Sequence, residues 1–241
     1  MIKVKLADFK IAIENRYNYI EMLCEDYMYD GDDIDFTVSC TDEQIAEEQG
    51  KMANLGEAHT VEYLEAICIY REICLRLPER DAFVMHSAVI EVDGMAYAFS
   101  AKSGTGKSTH IALWKKYLGD KVQIVNGDKP IVRYRDGVFY AYGTPWCGKE
   151  FWHRNVSRPL KAICFIERSQ DNWIKRLDTQ SSADRIMKQI LIPSDALGAI
   201  KTFELIDKML YTVDCWLLGC NISIEAAQLA YNTMSGGKDE N

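Results

Sequence analysis

Residues 99–110 read FSAKSGTGKSTH, and the rest of the chain is interpreted outward from them. Gly104 and Gly106 alternate with Thr105, Lys107 and Ser108 follow directly, and the apolar run MAYAFS (95–100) leads in. Glycine keeps side chains out of a loop and permits positive φ. Successive backbone N–H groups can then converge on an anion. The helix expected over KSTHIALWKKYLG (107–119), ended by Gly119, adds its positive N-terminal end to the same point. Ala101 stands where the usual phosphate-loop pattern has its first glycine, but that position mainly closes the turn, and alanine is the smallest substitute. The expected phosphate cradle is Ser103, Gly104, Thr105, Gly106, Lys107, Ser108 and Thr109. In it Lys107 reaches the β- and γ-phosphates of a nucleotide and the Ser108 hydroxyl binds Mg²⁺. The rival reading is a tight strand–helix turn with no ligand.

Upstream, AFVMHSAVIEV (82–92) and MAYAFS flank Asp93-Gly94, a type I′ hairpin signal, so the strand entering the loop is the second arm of a hairpin. Downstream, VQIVN (122–126) reads as a buried strand, GDKP (127–130) as a turn, and IVRY with VFYAY as a hairpin around Arg135-Asp136-Gly137. GTPWCGK (143–149) is a loop and LKAICFIE (160–167) a buried strand. Helical segments near 180–191 and 196–210, a strand CWLLG (215–219), a helix SIEAAQLAYNTM (223–234) and a solvated tail GGKDEN complete this part. The first eighty residues differ in pattern. IKVKL and FKIAI form a hairpin, YIEMLCEDYMY is amphipathic, and IDFTVSC alternates like a strand. Thr41 caps a helix DEQIAEEQG that stops at Gly50. Tyr63, Ala66/Ile67, Tyr70, Ile73/Cys74 and Leu77 recur at helical steps up to Pro78, a core stripe. The expectation is a mixed α/β sheet protein, with a small N-terminal α+β lobe over 1–80 and a P-loop core over 81–241.

Composition narrows the class. A net charge of −8, from 28 basic and 36 acidic residues, leaves no basic stripe for nucleic acid. No apolar run approaches the ~18 residues of a membrane span, and MIKVKLADFK is not a signal peptide. The eight cysteines form no C-x-x-C pair and mostly sit in apolar company, as in AICIY and KAICFIE. They read as reduced core thiols of a cytoplasmic protein rather than as disulfides or a zinc site.

The loop SGTGKST (103–109) closely resembles the SGTGKTT type of ATP-dependent phosphoenolpyruvate carboxykinases. MHSAVIEVDG (85–94) resembles the histidine-led hairpin of HPr kinase/phosphorylase, and IVNGD (124–128) lies where both families carry a strand ending in paired aspartates. The resemblance spans residues 83–168. Together with GTPWCGK, the chain is similar to the short, carboxykinase-like relatives of HPr kinase. The resemblance implies a P-loop fold of that type, ATP and Mg²⁺, phosphorylation of a hydroxyl, and relatives that assemble into homo-oligomers. Two departures stand out. Gly127-Asp128 replaces the aspartate pair, and the downstream acidic metal ligand has no clear match in YAYGTPWCGK.

Phosphoryl transfer needs positioning, charge neutralisation and a group that takes the proton of the attacking hydroxyl. Asp128, at the end of an apolar strand, suits a metal ligand or a general base, and the resemblance favours the base; it can also simply cap a turn. For His86 the resemblance implies a hydrogen bond to the catalytic aspartate, against an ordinary structural histidine. Lys129, Arg133 and Lys149 are the nearest cations and candidate substrate contacts, as is Trp146, which either walls a pocket or plugs the sheet. His59, His110 and His153 carry no such support, Cys147 lacks an adjacent base, and Arg154 and Arg158 are expected to be solvated. The expected function is Mg²⁺–ATP-dependent phosphorylation of a hydroxyl, on a serine of a peptide or protein or on a small-molecule alcohol. Carboxykinase chemistry on an oxaloacetate-like acid and a non-catalytic nucleotide-binding regulatory module remain open.

Overall fold

A computed structural model describes residues 1–102 and 104–236. Ser103 of the expected cradle and residues 237–241 of the expected tail lie outside the described residues. The chain opens with a hairpin of β1 (Ile2–Leu6) and β2 (Phe9–Glu14), and β3 (Phe36–Ser39) adds to β2 in parallel. Helices α1 (Tyr19–Leu23), α2 (Asp42–Asn54) and α3 (Val61–Arg76) accompany this sheet. Thr41 and Gln44 form a reciprocal capping box at the start of α2. The helix does not stop at Gly50, as the sequence led us to expect; it continues to Asn54. One interior glycine costs only about 1 kcal/mol, whereas Gly56, at φ +75°, closes a Schellman turn. There Gly56 N–H donates to Ala53 and Glu57 N–H to Met52. Glu65 is fully buried, and its carboxylate accepts from the backbone N–H of Arg16 and Tyr17, tying α3 to the turn after β2. The apolar cluster around Ile11, Ile13, Leu64 and Ile73 runs on without a break into Val84, Ile131 and Tyr142.

Among the described residues the second sheet has nine strands: β4 (Ala82–Val84), β5 (Ala88–Val92), β6 (Met95–Ser100), β7 (Gln123–Asn126), β8 (Ile131–Arg135), β9 (Val138–Tyr142), β10 (Ser157–Arg168), β11 (Trp173–Arg176) and β12 (Asp214–Cys220). Its main path runs β4-β8-β9-β10-β6-β5-β7, with β12 on β10 and β11 on β12. The sheet is mixed: β6 is parallel to β10 and antiparallel to its hairpin partner β5, and β10 is also parallel to β12. The strand expected over 82–92 is two strands, because its middle is bonded elsewhere. His86 N–H donates to Gln189 O and Ser87 N–H to Asp128 O, while β4 pairs with β8 and β5 with β6 and β7. Strand β11 was not expected from the sequence; it pairs with β12, and the Trp173 ring occupies the space that a side chain at Gly219 would need.

Helices α4 (Lys107–Leu118), α5 (Thr179–Met187), α6 (Ala196–Thr212) and α7 (Ile224–Met234) complete the fold. Side chains alternate across a strand, so β6 and β10 feed two cores. Ala96, Ala98, Ile163 and Phe165 enter one with Ile186 of α5 and Leu205 and Met209 of α6. Tyr97, Phe99, Ala162 and Cys164 enter the other with Trp114 of α4 and Ala227 of α7. Each large side chain so buried contributes about 1.5–3 kcal/mol, which anchors the strand and the helix on either side of the glycine-rich loop. The eight cysteines are free thiols. Arg154 and Arg158 are not solvated as expected: both pair with Glu91, at 2.9 and 2.6 Å. Among the described residues no helix is long and apolar enough to cross a membrane.

Candidate functional site

Between the end of β6 and the start of α4 the chain turns through Gly104 at φ +75° and Gly106 at φ +125°. Space alone does not demand glycine, since an added Cβ would meet nothing closer than 4.0 Å at Gly106 and nothing within 4 Å at Gly104. The backbone conformation does, because L side chains resist it. Ala101 is only 7% exposed, and its methyl group belongs to the apolar cluster under α4. Alanine therefore adds core contact where the usual glycine would add none. Arg168, at the end of the parallel neighbour β10, donates from Nη2 to Gly104 O at 2.7 Å and from Nε to Thr105 O at 3.4 Å. Sequence reasoning missed it; strand register brings it to the loop from more than sixty residues away.

His86 occupies the break between β4 and β5. Its Nε2 lies 2.9 Å from Asp128 Oδ1 and 3.2 Å from Lys107 Nζ, which also donates to Ala101 O at 3.2 Å. One ring nitrogen cannot do both jobs: protonated Nε2 donates to Asp128, and unprotonated Nε2 accepts from Lys107. Burial pushes the Asp128 carboxyl up, but the His86 hydrogen bond, the Lys129 charge, His86 itself and Lys107 together outweigh it and hold the group below the usual range. Burial lowers Lys107, with Lys129 acting the same way and Asp128 and Glu150 opposing it. The sequence-predicted residues His86, Lys107 and Asp128 are thus brought together at one end of the loop helix.

Asn126 makes this placement possible. Fully buried, it donates from Nδ2 to Thr144 O at 2.9 Å and accepts at Oδ1 from the backbone N–H of Asp128 (2.8 Å) and Lys129 (2.7 Å). The next residue cannot carry a side chain as packed: a Cβ on Gly127 would sit 2.6 Å from Cys147 O. Gly148, at φ +82°, approaches less closely from the other side, where an added Cβ would lie 3.2 Å from the Asp128 Cβ and 3.6 Å from Glu150 Oε2.

Glu150, one position beyond GTPWCGK, carries an acidic side chain that was not among the expected site residues. It accepts a 2.8 Å hydrogen bond from Ser108 Oγ. Hard oxygen donors suit Mg²⁺, which takes few protein ligands and keeps phosphate and water for the rest. Ser108, Glu150 and Asp128 fit that requirement. Among the described residues no group of three or more His, Cys, Asp or Glu is placed to hold a metal ion by itself. Lys129 Nζ lies 3.7 Å from Asp128 Oδ2, and Lys129, Trp146 and Lys149 line a cavity together with Asp128. Arg133 is elsewhere: it donates to Ala7 O at 2.6 Å and covers the Phe9 ring. Burial pushes the Cys147 thiol up to about 11, so it is not a thiolate at neutral pH. His110 is buried in the core and accepts from Trp114 Nε1 at 2.9 Å, His59 pairs with Glu57, and His153 meets Tyr27.

Fold and site together define a mixed α/β protein in which a glycine-rich turn joins a sheet strand to a helix beside a carboxylate, an imidazole and an ammonium group. The chain belongs to the SynChlorMet cassette protein ScmC family, whose family model matches residues 54–194, more than half of its length. That match takes in the loop, His86, Asp128 and Glu150 and leaves out β1 to β3. Among solved structures, that of the Hpr(Ser) kinase/phosphatase from Coxiella burnetii is similar over 64% of this chain and 93% of that one, at 13% identity and a TM-score of 0.37. No curated protein matches the chain.

Proposed function

We propose that this protein is a kinase that transfers the γ-phosphate of ATP to a hydroxyl, with a core of the HPr kinase type over 81–241 and a smaller lobe over 1–80. The observation that carries the reading is the Asp128 carboxylate, bonded to His86 and facing Lys107, beside a loop whose N–H groups and helix end favour anions. In this scheme Gly104 to Thr109 and Ser103 hold the phosphates, and Lys107 leaves His86 to neutralise charge on the transferred group. His86 is then free to donate to Asp128 and hold its carboxylate towards the acceptor. The acceptor oxygen attacks the γ-phosphorus, the bond to the β-phosphate oxygen breaks, ADP leaves, and the acceptor proton passes to Asp128. Ser108, Glu150 and Asp128 would hold Mg²⁺, which supplies charge neutralisation on the phosphates. A carboxylate held below its usual range is a modest base. That suffices for a loose transition state in which the proton moves late.

Purified protein incubated with γ-labelled ATP and a panel of alcohols and serine peptides tests this. Label should pass to an acceptor, or slowly to water. Lys107→Ala should lower turnover about 10²–10³-fold, the usual loss for one such contact. Unchanged turnover in folded Lys107→Ala would remove the loop from the chemistry.

A further inference from the structure

Asp128 lines a cavity of ≈ 590 Å³ between α1, α2 and α3 and the loop 145–151. This volume is in the range of small-ligand sites. Its walls include Tyr19, Leu23, Met52, Tyr63, Tyr70 and Trp146. The aromatic rings are packed in pairs, Tyr70 against Trp146 with centroids 5.2 Å apart and Tyr19 edge-on to Tyr63 at 6.1 Å. Of the charged side chains in the wall, Arg71 pairs with Glu48 and Lys129 faces Asp128, while Lys149 has no ion-pair partner among the described residues. The rest of the lining is mostly aromatic and aliphatic, which favours an apolar body.

Two features at the cavity lack any explanation in packing. Among the described residues the Trp146 indole N–H is buried with no hydrogen-bond partner, as is that of Trp216, although a buried indole usually finds one. Phe151 lines the mouth with its side chain 73% exposed and its backbone at φ +52°, a left-handed conformation that bulky residues avoid. Strained residues of this kind cluster at ligand clamps.

We infer that this cavity binds the phosphate acceptor, and that the acceptor is a hydroxyl carried on a compact apolar body, with the body between the rings and the hydroxyl at Asp128. The word acceptor rests on the kinase reading; the binding site does not. A free alcohol and a serine beside an apolar residue in a peptide share this chemistry.

The test uses ¹⁵N-labelled full-length protein and the indole signals of its five tryptophans, with that of Trp146 identified by its loss in Trp146→Phe. The probes are 2-phenylethanol and N-acetyl-Phe-Ser-Leu-amide, with glucose and glycerol as polar controls. Either apolar probe should shift the Trp146 signal selectively, in wild type and in Lys107→Ala alike, and the arm that responds identifies the source. Tyr63→Glu, at a position already 37% exposed and so tolerant of change, should weaken that response at least tenfold while ATP binding stays unchanged. No Trp146 shift with either apolar probe, or an equal shift with glucose, overturns the inference even if ATP is turned over. A selective shift without phosphate transfer leaves the site standing and refutes the kinase reading instead.

Discussion

Replacing Asn126 by alanine tests whether the Asp128 turn is held as described. The side chain satisfies two backbone N–H groups, of Asp128 and Lys129, and donates to Thr144 O, all within 2.9 Å. An unsatisfied buried polar group costs about 1–3 kcal/mol. Asn126 is fully buried but residues 128 and 129 are only partly so, so water can recover some of the loss. Taking about 1 kcal/mol for each of the three groups gives about 3 kcal/mol in all. For a chain of this size that corresponds to a fall in Tm of about 6–12 °C. Asp128 then loses its fixed position, while the glycine-rich loop, which Asn126 does not touch, keeps its own. Asn126→Ala should therefore bind ATP within a few-fold of wild type and lose at least about tenfold in kcat, since small misplacements cost that much. Thermal melts followed by circular dichroism, titration calorimetry with ATP, and a transfer or hydrolysis assay give the three readings. A melt within 2 °C of wild type, or ATP affinity falling as far as kcat, would refute the reasoning.

Asp128→Asn keeps size but removes charge and basicity; ATP binding should change little while kcat falls by about 10²–10⁴. A rate partly rescued by raised Mg²⁺ would reassign the carboxylate to the metal, and full activity would exclude it. Gly127→Ala sets a methyl against the Cys147 carbonyl at 2.6 Å. It should cost about 1–3 kcal/mol and make the 145–151 segment more open to limited proteolysis; unchanged proteolysis would count against that close packing. Burial lowers His110 from 6.5 to about 4, so the unfolded chain takes up a proton between those values that the native state does not. Stability must then fall as pH drops, by about 2 kcal/mol from this group between pH 7 and 5. Urea titrations at both pH values should show that loss reduced in His110→Gln, and an undiminished loss would mean another group is responsible.

Local signals made much of the molecule legible. Two glycines two residues apart, followed by Lys107 between an apolar strand and an amphipathic helix, specify the loop, because positive φ and helix initiation are properties of neighbouring residues. Asp93-Gly94 and Asp136-Gly137 likewise announce their hairpins, and Thr41 its helix. That His86 bonds Asp128 was drawn from resemblance to other families, and the Lys107–His86 contact was not expected at all, since nothing in the spacing of three residues spread over forty positions dictates contact. Some features no local reading could reach. The break at His86 exists because Gln189 O and Asp128 O, far along the chain, accept from the backbone N–H of His86 and Ser87 respectively. Arg168 reaches the loop only through the parallel register of β10 with β6. Glu150 meets Ser108, and Gly127 is denied a side chain, because the 145–151 loop folds over the Asn126 turn. The cavity between the first three helices and that loop belongs to no segment at all. Chain chemistry sets the backbone at each turn, but which distant groups share a few ångströms depends on how two sheets and their helices bury their apolar faces together.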